Sequence, residues 1–189
     1  SLPGGCSIGS RPIDLHLSAL KKMGAKIKVK NGYIIASAKK GLKGCLIKFP
    51  KISVGATENI LIASCFSNGK TKLRNCAIEP EVKDLIVFLK KIGCEINQIG
   101  KRSIDVIGVK KFKSAVHKVI FDRIEAGTYI IAAAITNGHI KINNILPNIL
   151  STEIKLLSKM KVKIVKKKNY VIVTCPKKIK NIKIETKPY

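Results

Sequence analysis

The sequence predicts an α/β domain assembled from three unequal copies of one unit, with apolar helices inside and sheets outside. Three observations carry that expectation. RPIDLHLSALKKMGAKI, EPEVKDLIVFLKKIGCEI and LPNILSTEIKLLSKMKVKI each open near a proline (Pro12, Pro80, Pro147). Each continues with apolar residues at helical spacing and passes through lysines into a strand-like run. Two further segments, SVGATENILIASCFSNG and RIEAGTYIIAAAITNG, are apolar almost all round, the pattern of a buried helix. Short runs rich in Val and Ile separate the helices and read as strands.

The prolines lie 68 and 67 residues apart, and a proline suits the first turn of a helix because its φ is already helical and its missing N–H is not needed there. Gly24 and Gly93 stand where the first two of these helices should stop, the position that favours a left-handed residue. Lys161 occupies the equivalent place in the third copy. The run AKIKVKNGYIIAS, with Asn31-Gly32 at its centre, reads as a hairpin. Further strands are expected over KTKLRNCAI, SIDVIGV, AVHKVIF, HIKINNI, YVIVTC and KNIKIET. In the apolar helices Thr57 and Thr128 correspond, 71 residues apart. The copies are expected at about 1–52, 53–121 and 122–189, together forming one domain. A tandem solenoid is the alternative; units of this size with apolar central helices favour closure around those helices. The first copy lacks its start and the chain opens Ser1-Leu2-Pro3, so a piece of a longer protein is expected.

Composition narrows the function. The hydrophobic fraction of 46% over 189 residues supports a sizeable core. The longest apolar runs are too short to span a bilayer, and no signal-peptide pattern stands at the start. A net charge of +26 suggests a polyanion partner. Yet arginine occurs only at 11, 74, 102 and 123, the remaining basic residues are lysine, aromatics are 5% and tryptophan is absent. Nucleic-acid readers use arginine forks and aromatic stacking, so the charge reads mainly as solvated lysine faces. A non-catalytic basic module that binds nucleic acid or another polyanion is the competing class. Six cysteines and three histidines show no paired metal-ligand spacing, so no metal is expected. Cys45, Cys65, Cys76 and Cys94 lie in apolar stretches and read as reduced core residues of a cytoplasmic protein.

The opening stretch SLPGGCSIGSRPIDL is the chemically distinctive part. Cys6 follows Pro3, Gly4 and Gly5, and Arg11 and Pro12 lead into a helix. The glycines allow a mobile loop that approaches a ligand closely. The helix start offers free N–H groups to an anion, and Arg11 can fork onto a phosphate or carboxylate. A buried cysteine in an ordinary turn and a surface salt bridge for Arg11 are the plain alternatives. Similar alternatives exist elsewhere. Asp14 is a first-turn carboxylate favoured by the helix dipole, and Ser53 a helix N-cap. Glu79-Pro80-Glu81 reads as a helix start, and DRIE as a capping box led by Asp122 with Glu125 reaching back. His16, on an apolar stripe, reads as a core histidine without a functional role.

The blocks PGGCSIGSRPIDLHL, KISVGATENI, EPEVKDL and DRIEAGT, in this order and spacing, resemble the enolpyruvyl transferases, the EPSP synthase family. The likeness is to the branch that uses UDP-N-acetylglucosamine. The shikimate-pathway members and the RNA 3′-terminal phosphate cyclases, which share related units, lack the cysteine-loop block. The resemblance implies two similar domains, each a threefold βαβαββ, inside-out barrel-like assembly, of which this chain resembles the one carrying the cysteine loop. It implies transfer of the enolpyruvyl group of phosphoenolpyruvate to the 3′-hydroxyl of UDP-N-acetylglucosamine with loss of phosphate, the first committed step of peptidoglycan precursor synthesis.

Residue by residue, the resemblance makes Cys6 the general acid toward C3 of the enol. It also makes Cys6 the site of a covalent phosphoenolpyruvate adduct and the target of fosfomycin. Arg11 would neutralise the phosphate. Arg11, Pro12, Ile13, Asp14 and Leu15 would hold the uridine end, and Lys51, Ile52, Ser53 and Val54 a second part of the nucleotide sugar. Physically, Lys51 and the loop amides before the helix suit a diphosphate. Glu79, Asp122 and Arg123 are second-tier candidates. No cofactor, nucleic-acid partner or membrane is implied. Ser10 and Ile13 replace a usual alanine and valine without new chemistry. The family's catalytic aspartate, its lysine–asparagine pair and a second phosphate-binding arginine fall outside this stretch, so the chain alone is expected to be inactive.

Overall fold

The computed structural model describes residues 13–185. The chain forms two compact units that meet in sequence between Lys118 and Val119. The first contains α1 (Asp14–Lys22), the hairpin β1 (Lys26–Lys30) and β2 (Tyr33–Ser37), β3 (Leu46–Lys48), α2 (Val54–Cys65), β4 (Lys70–Arg74), α3 (Pro80–Lys91), β5 (Glu95–Gly100) and β6 (Ser103–Ile107). Its larger sheet has the order β3-β4-β6-β5, with β3 parallel to β4 and the other pairs antiparallel. The second unit contains α4 (Arg123–Ile135), β7 (His139–Asn143), a 3-10 turn (Pro147–Leu150), α5 (Ser151–Lys159), β8 (Lys163–Lys166) and β9 (Tyr170–Thr174). Its antiparallel sheet runs β7-β9-β8. The architecture is the mixed α/β class read from the sequence. Among the described residues no helix is long and apolar enough to cross a membrane.

Local chemistry explains most boundaries. The Asn31-Gly32 turn has φ of +49° and +73° at its two centres, the double left-handed geometry that matches strand twist. Helices α1, α3 and α5 stop in the same way. Gly24, Gly93 and Lys161 all take positive φ (+97°, +104°, +69°). The next amide bonds back to the last turn each time: Ala25 N–H to Leu20 O, Cys94 N–H to Leu89 O and Val162 N–H to Leu157 O, at 2.9–3.1 Å. The third copy therefore keeps the stop without the glycine. An L side chain in this conformation costs on the order of 1 kcal/mol. Lys161→Gly is accordingly expected to stabilise the second unit by about 0.5–1 kcal/mol, read as a higher urea midpoint; an unchanged or lower midpoint contradicts it.

The apolar helices differ in burial. In α2, Ala56, Ile60, Leu61 and Cys65 are sealed in a core with Met23, Phe49, Leu73 and Val106, because α1, α3 and the four-stranded sheet pack around it. In α4, Ala126, Ile130, Ala133 and Ala134 are buried with Leu150, Val171 and Val173. Tyr129 and Ile135, however, are 54% and 72% exposed. All-round burial is met by neither helix: Ile62 of α2 is 42% exposed, and for α4 its own three-stranded sheet and the segment around α5 cover one side. Two expected strands are also absent. AVHKVIF carries no ladder, and its Val116 is 94% exposed. KNIKIET carries none over its described residues 180–185. Alternating side chains do not make a strand without a neighbour to accept its backbone hydrogen bonds.

On the outward face of the larger sheet, Asp105 of β6 sits 2.8 Å from both Lys70 Nζ and Arg74 Nη1 of β4. The Asp105 side chain is only 7% exposed. The Lys70 bond, outweighing desolvation and helped by Arg74, holds its carboxyl below the usual aspartate range. A depressed folded-state pKa gives stability that is present above the unfolded value and lost as pH falls through the folded one. Asp105→Asn is expected to cost roughly 1–3 kcal/mol near neutral pH. The gap to wild type should close as pH drops below about 4, measured by urea unfolding across pH. A gap independent of pH contradicts the assignment.

Candidate functional site

The first unit brings two of the sequence blocks to one place. Ile13 precedes α1 and its carbonyl accepts the helix's early bond from Leu17 N–H at 3.0 Å. Asp14 is exposed in the first turn, while Leu15 is buried in the core. Cys6, Arg11 and Pro12 lie outside the described residues. On the neighbouring element, β3 runs into the loop Lys51-Ile52-Ser53 and then α2. That loop is pinned from below: Phe49 is buried, its N–H bonds Arg74 O at 3.0 Å, and Asn75 Nδ2 donates to its carbonyl at 2.9 Å.

Helices α1 and α2 pack side by side, and their beginnings are in contact. The His16 ring lies 3.6 Å from where Gly55 would carry a Cβ. His16 is half-buried, in keeping with a packing role, and a Cβ at Gly55 would meet its ring in ordinary van der Waals contact. Between α1 and the end of β3 lies a cavity of about 340 Å³, lined on one side by Asp14, Leu15 and Lys22 of α1 and on the other by Lys48, Phe49 and Pro50. Pro50 directly precedes Lys51.

Ser53 caps α2 by accepting from Ala56 N–H at 3.3 Å. Its carbonyl takes both Thr57 N–H at 3.0 Å and Thr57 Oγ1 at 2.7 Å. The Ser53 side chain is thus already occupied as a cap, as the plain reading held. What the turn offers a ligand is the positive end of the helix and the exposed Lys51 ammonium. Ile52 and Val54 pack against the core and fix the turn. An anion of phosphate type is the chemistry this corner accepts.

Glu79 opens α3 ahead of Pro80 and is buried, its Oε2 accepting Ile78 N–H at 2.8 Å. The sequence reading passed over Glu58. Burial, then Glu81 and Glu79, push its carboxyl above the usual range, so three carboxylates crowd the junction of α2 and α3. Its only sequence signal was a place inside KISVGATENI, four residues after Val54. Thr57 was noted for its repeat position alone; its Oγ1 also accepts Ala77 N–H at 3.0 Å, tying α2 to the loop before Glu79.

Asp122 belongs to the second unit and caps α4, its Oδ1 accepting from Ile124 N–H at 2.8 Å and Glu125 N–H at 3.1 Å. This is the Asp-led half of the expected capping box. Arg123, the next residue, begins α4 and is engaged by another group. Thr128 repeats the behaviour of Thr57, bonding Ile124 O four residues back at 2.8 Å.

Cys65, Cys76 and Cys94 are buried free thiols and Cys45 is half-buried. Burial pushes Cys76 up to about 11 and Cys65 higher still. These thiols are poor nucleophiles at neutral pH.

Against known families, residues 1–189 match the model of EPSP synthase (3-phosphoshikimate 1-carboxyvinyltransferase). The chain belongs to the EPSP synthase family. Among curated relatives of this family, UDP-N-acetylglucosamine 1-carboxyvinyltransferase of Pelagibacter ubique (strain HTCC1062) is 57% identical over 189 residues, covering 100% of this chain and 45% of the relative. The protein of the same name from Endomicrobium trichonymphae is 47% identical with the same coverage. The chain thus spans rather less than half the length of these relatives. Solved structures share the fold. The enolpyruvyl transferase NikO from Streptomyces tendae superposes with a TM-score of 0.78 at 21% identity, covering 88% of this chain and 43% of that one. An EPSP synthase from Acinetobacter baumannii gives 0.65 at 19% identity, with 90% and 41% coverage. The matched residues include the four blocks from which the family was read, Cys6 among them.

Proposed function

We propose that this chain is part of an enzyme that transfers the enolpyruvyl group of phosphoenolpyruvate to the 3′-hydroxyl of UDP-N-acetylglucosamine, releasing phosphate. The observation that supports the reading is the approach of the α1 and α2 starts, with the His16 ring 3.6 Å from the Cβ position of Gly55. Support comes from 57% identity over the whole chain to a relative bearing that enzyme's name. The reaction needs a proton at C3 of the enol, cations around the departing phosphate, and exclusion of water. Cys6 is assigned the proton, Arg11 the phosphate charge, and the α1 start the uridine end. Lys51 and the α2 start take the diphosphate. Asp122 and Arg123 are held as secondary contributors, with Asp122 also needed as a cap. The chain is proposed to be one domain built of three repeats, at about 1–52, 53–121 and 122–189, each keeping the same helix stop at Gly24, Gly93 or Lys161. The proposed setting is cytoplasmic, with no cofactor and with fosfomycin as a thiol-directed inhibitor.

The test is phosphate release by the full-length protein. Release is expected only with both phosphoenolpyruvate and UDP-N-acetylglucosamine present, and the 189-residue chain alone should stay at background. Lys51→Ala should raise KM for the nucleotide sugar about 10–100-fold, the worth of one charged hydrogen bond, with a smaller change in kcat. Equal turnover with a non-nucleotide acceptor, or an unchanged KM, overturns the assignment.

A further inference from the structure

We propose that the exposed stripe of α4, formed by Ile124, Thr128, Ile131 and Ile135, packs against an apolar helix supplied by the part of the full-length protein outside these 189 residues. The four positions are four, three and four residues apart, so they share one face along the whole helix. Ile124 and Ile131 are 61% and 47% exposed, and Ile135 more than either. Thr128 adds little polarity to the stripe, because its hydroxyl already donates to Ile124 O at 2.8 Å. The other side of α4 is spent on its own unit, where Ala126, Ile130, Ala133 and Ala134 join the core. Helices of this chain that face water look different. Each of α1, α3 and α5 carries lysine in its last turn. No lysine occurs from 119 to 140, in a chain with 37 basic residues. A lysine-free aliphatic face of this length marks a contact surface.

The same stripe recurs in α2. Counted back from the Asn-Gly that follows each helix, Gly55, Asn59, Ile62 and Phe66 stand where Ile124, Thr128, Ile131 and Ile135 stand. By the same count Leu61, Ser64 and Cys65 match Ile130, Ala133 and Ala134, and all six are buried. Ile62 and Phe66, like their counterparts, are exposed, and no lysine occurs from 52 to 69. Two copies that bury one side and expose the same other side carry a packing face belonging to the repeat itself. The partner that fits is a further helix of this type, because such helices are apolar on both sides and their side-chain ridges interlock. Among the described residues the first repeat contributes α1 and the β1–β2 hairpin but no helix of this type. The 189 residues cover 45% of the curated relatives, so a full-length protein of that size has the chain to supply one. This inference rests on the repeat and not on the transferase reading.

Photo-cross-linking in the full-length protein tests it. With a benzophenone amino acid in place of Ile135, ultraviolet light should join α4 to a peptide outside these 189 residues of the same molecule, identified by mass spectrometry. Ile124 is the alternative site if that protein is not recovered. Ile131→Lys should raise the unfolded fraction at a fixed urea concentration at least about tenfold, because it buries an ammonium without a partner; on a solvated face lysine would be nearly neutral. Ile131→Met, which keeps an apolar side chain of similar volume, should stay within about threefold of wild type. A cross-link between two copies of the protein, cross-links only within these 189 residues, or none at all overturns the proposal. So does an Ile131→Lys protein that unfolds like the wild type.

Discussion

Gly108→Ala is expected to unfold the first unit. A Cβ at this position would fall within the van der Waals shell of the Ser67 carbonyl oxygen, with the Ser67 carbonyl carbon only 2.7 Å away. Neither side can retreat cheaply. Gly108 N–H is bonded to Gly69 O at 3.1 Å and Val109 N–H to Cys65 O at 2.9 Å. Ser67 is buried, with its hydroxyl bonded to Ser64 O at 2.9 Å and set 3.2 Å from Thr71 Oγ1. Overpacking with such constraints costs about 3 kcal/mol or more, a large share of the roughly 5–15 kcal/mol that holds a domain together. The expected result is loss of soluble protein or a urea midpoint lowered well beyond that of Gly32→Ala. Gly32 serves as the control: its φ is +73° but nothing lies within 4 Å of its would-be Cβ, so alanine there meets backbone strain alone, about 1 kcal/mol. Equal midpoints for the two variants would show that the chain crossing at Gly108 is not as tight as described.

Cys6→Ala in the full-length protein is expected to lower kcat by about 10²–10⁴, the usual worth of a positioned general acid. Nucleotide-sugar affinity, measured by calorimetry, should stay within about threefold, because the thiol is proposed to serve the enol and not the uridine end. The two readouts separate loss of chemistry from loss of binding. Alkylation of the wild-type thiol should slow when UDP-N-acetylglucosamine and phosphoenolpyruvate are bound. A variant that turns over at the wild-type rate removes Cys6 from the proposed mechanism.

Much of the backbone plan is written in short sequence words, because their physics is local. Asn31-Gly32 forces a left-handed pair and therefore a hairpin. Pro80 starts α3, Gly24 and Gly93 end α1 and α3, and Ser53 and Asp122 cap α2 and α4 with their own side-chain oxygens. Each of these outcomes depends on residues within about one helical turn. The family, too, was legible, since four blocks in order survive whatever surface lysines surround them.

What the sequence left open depends on partners far along the chain. Lys161 could be seen at a helix stop, but only the bonds around it show that it adopts the glycine-like conformation. The run containing His117 alternates like a strand, yet it forms no ladder and sets its imidazole against Asp84 and Phe88 of α3. The apolar surface of α4 exceeds what one small sheet and its neighbours can cover. The sequence by itself determined the helices, the Asn31-Gly32 turn, the Ser53 and Asp122 caps and the family. Tertiary structure alone decided which strands obtained a ladder, which helix faces were covered, and that the α1 and α2 beginnings meet at His16 and Gly55. Turn and helix preferences are settled by neighbouring dihedrals and side chains, whereas ladders and helix seams require two distant stretches to satisfy each other's hydrogen bonds and apolar surface at once.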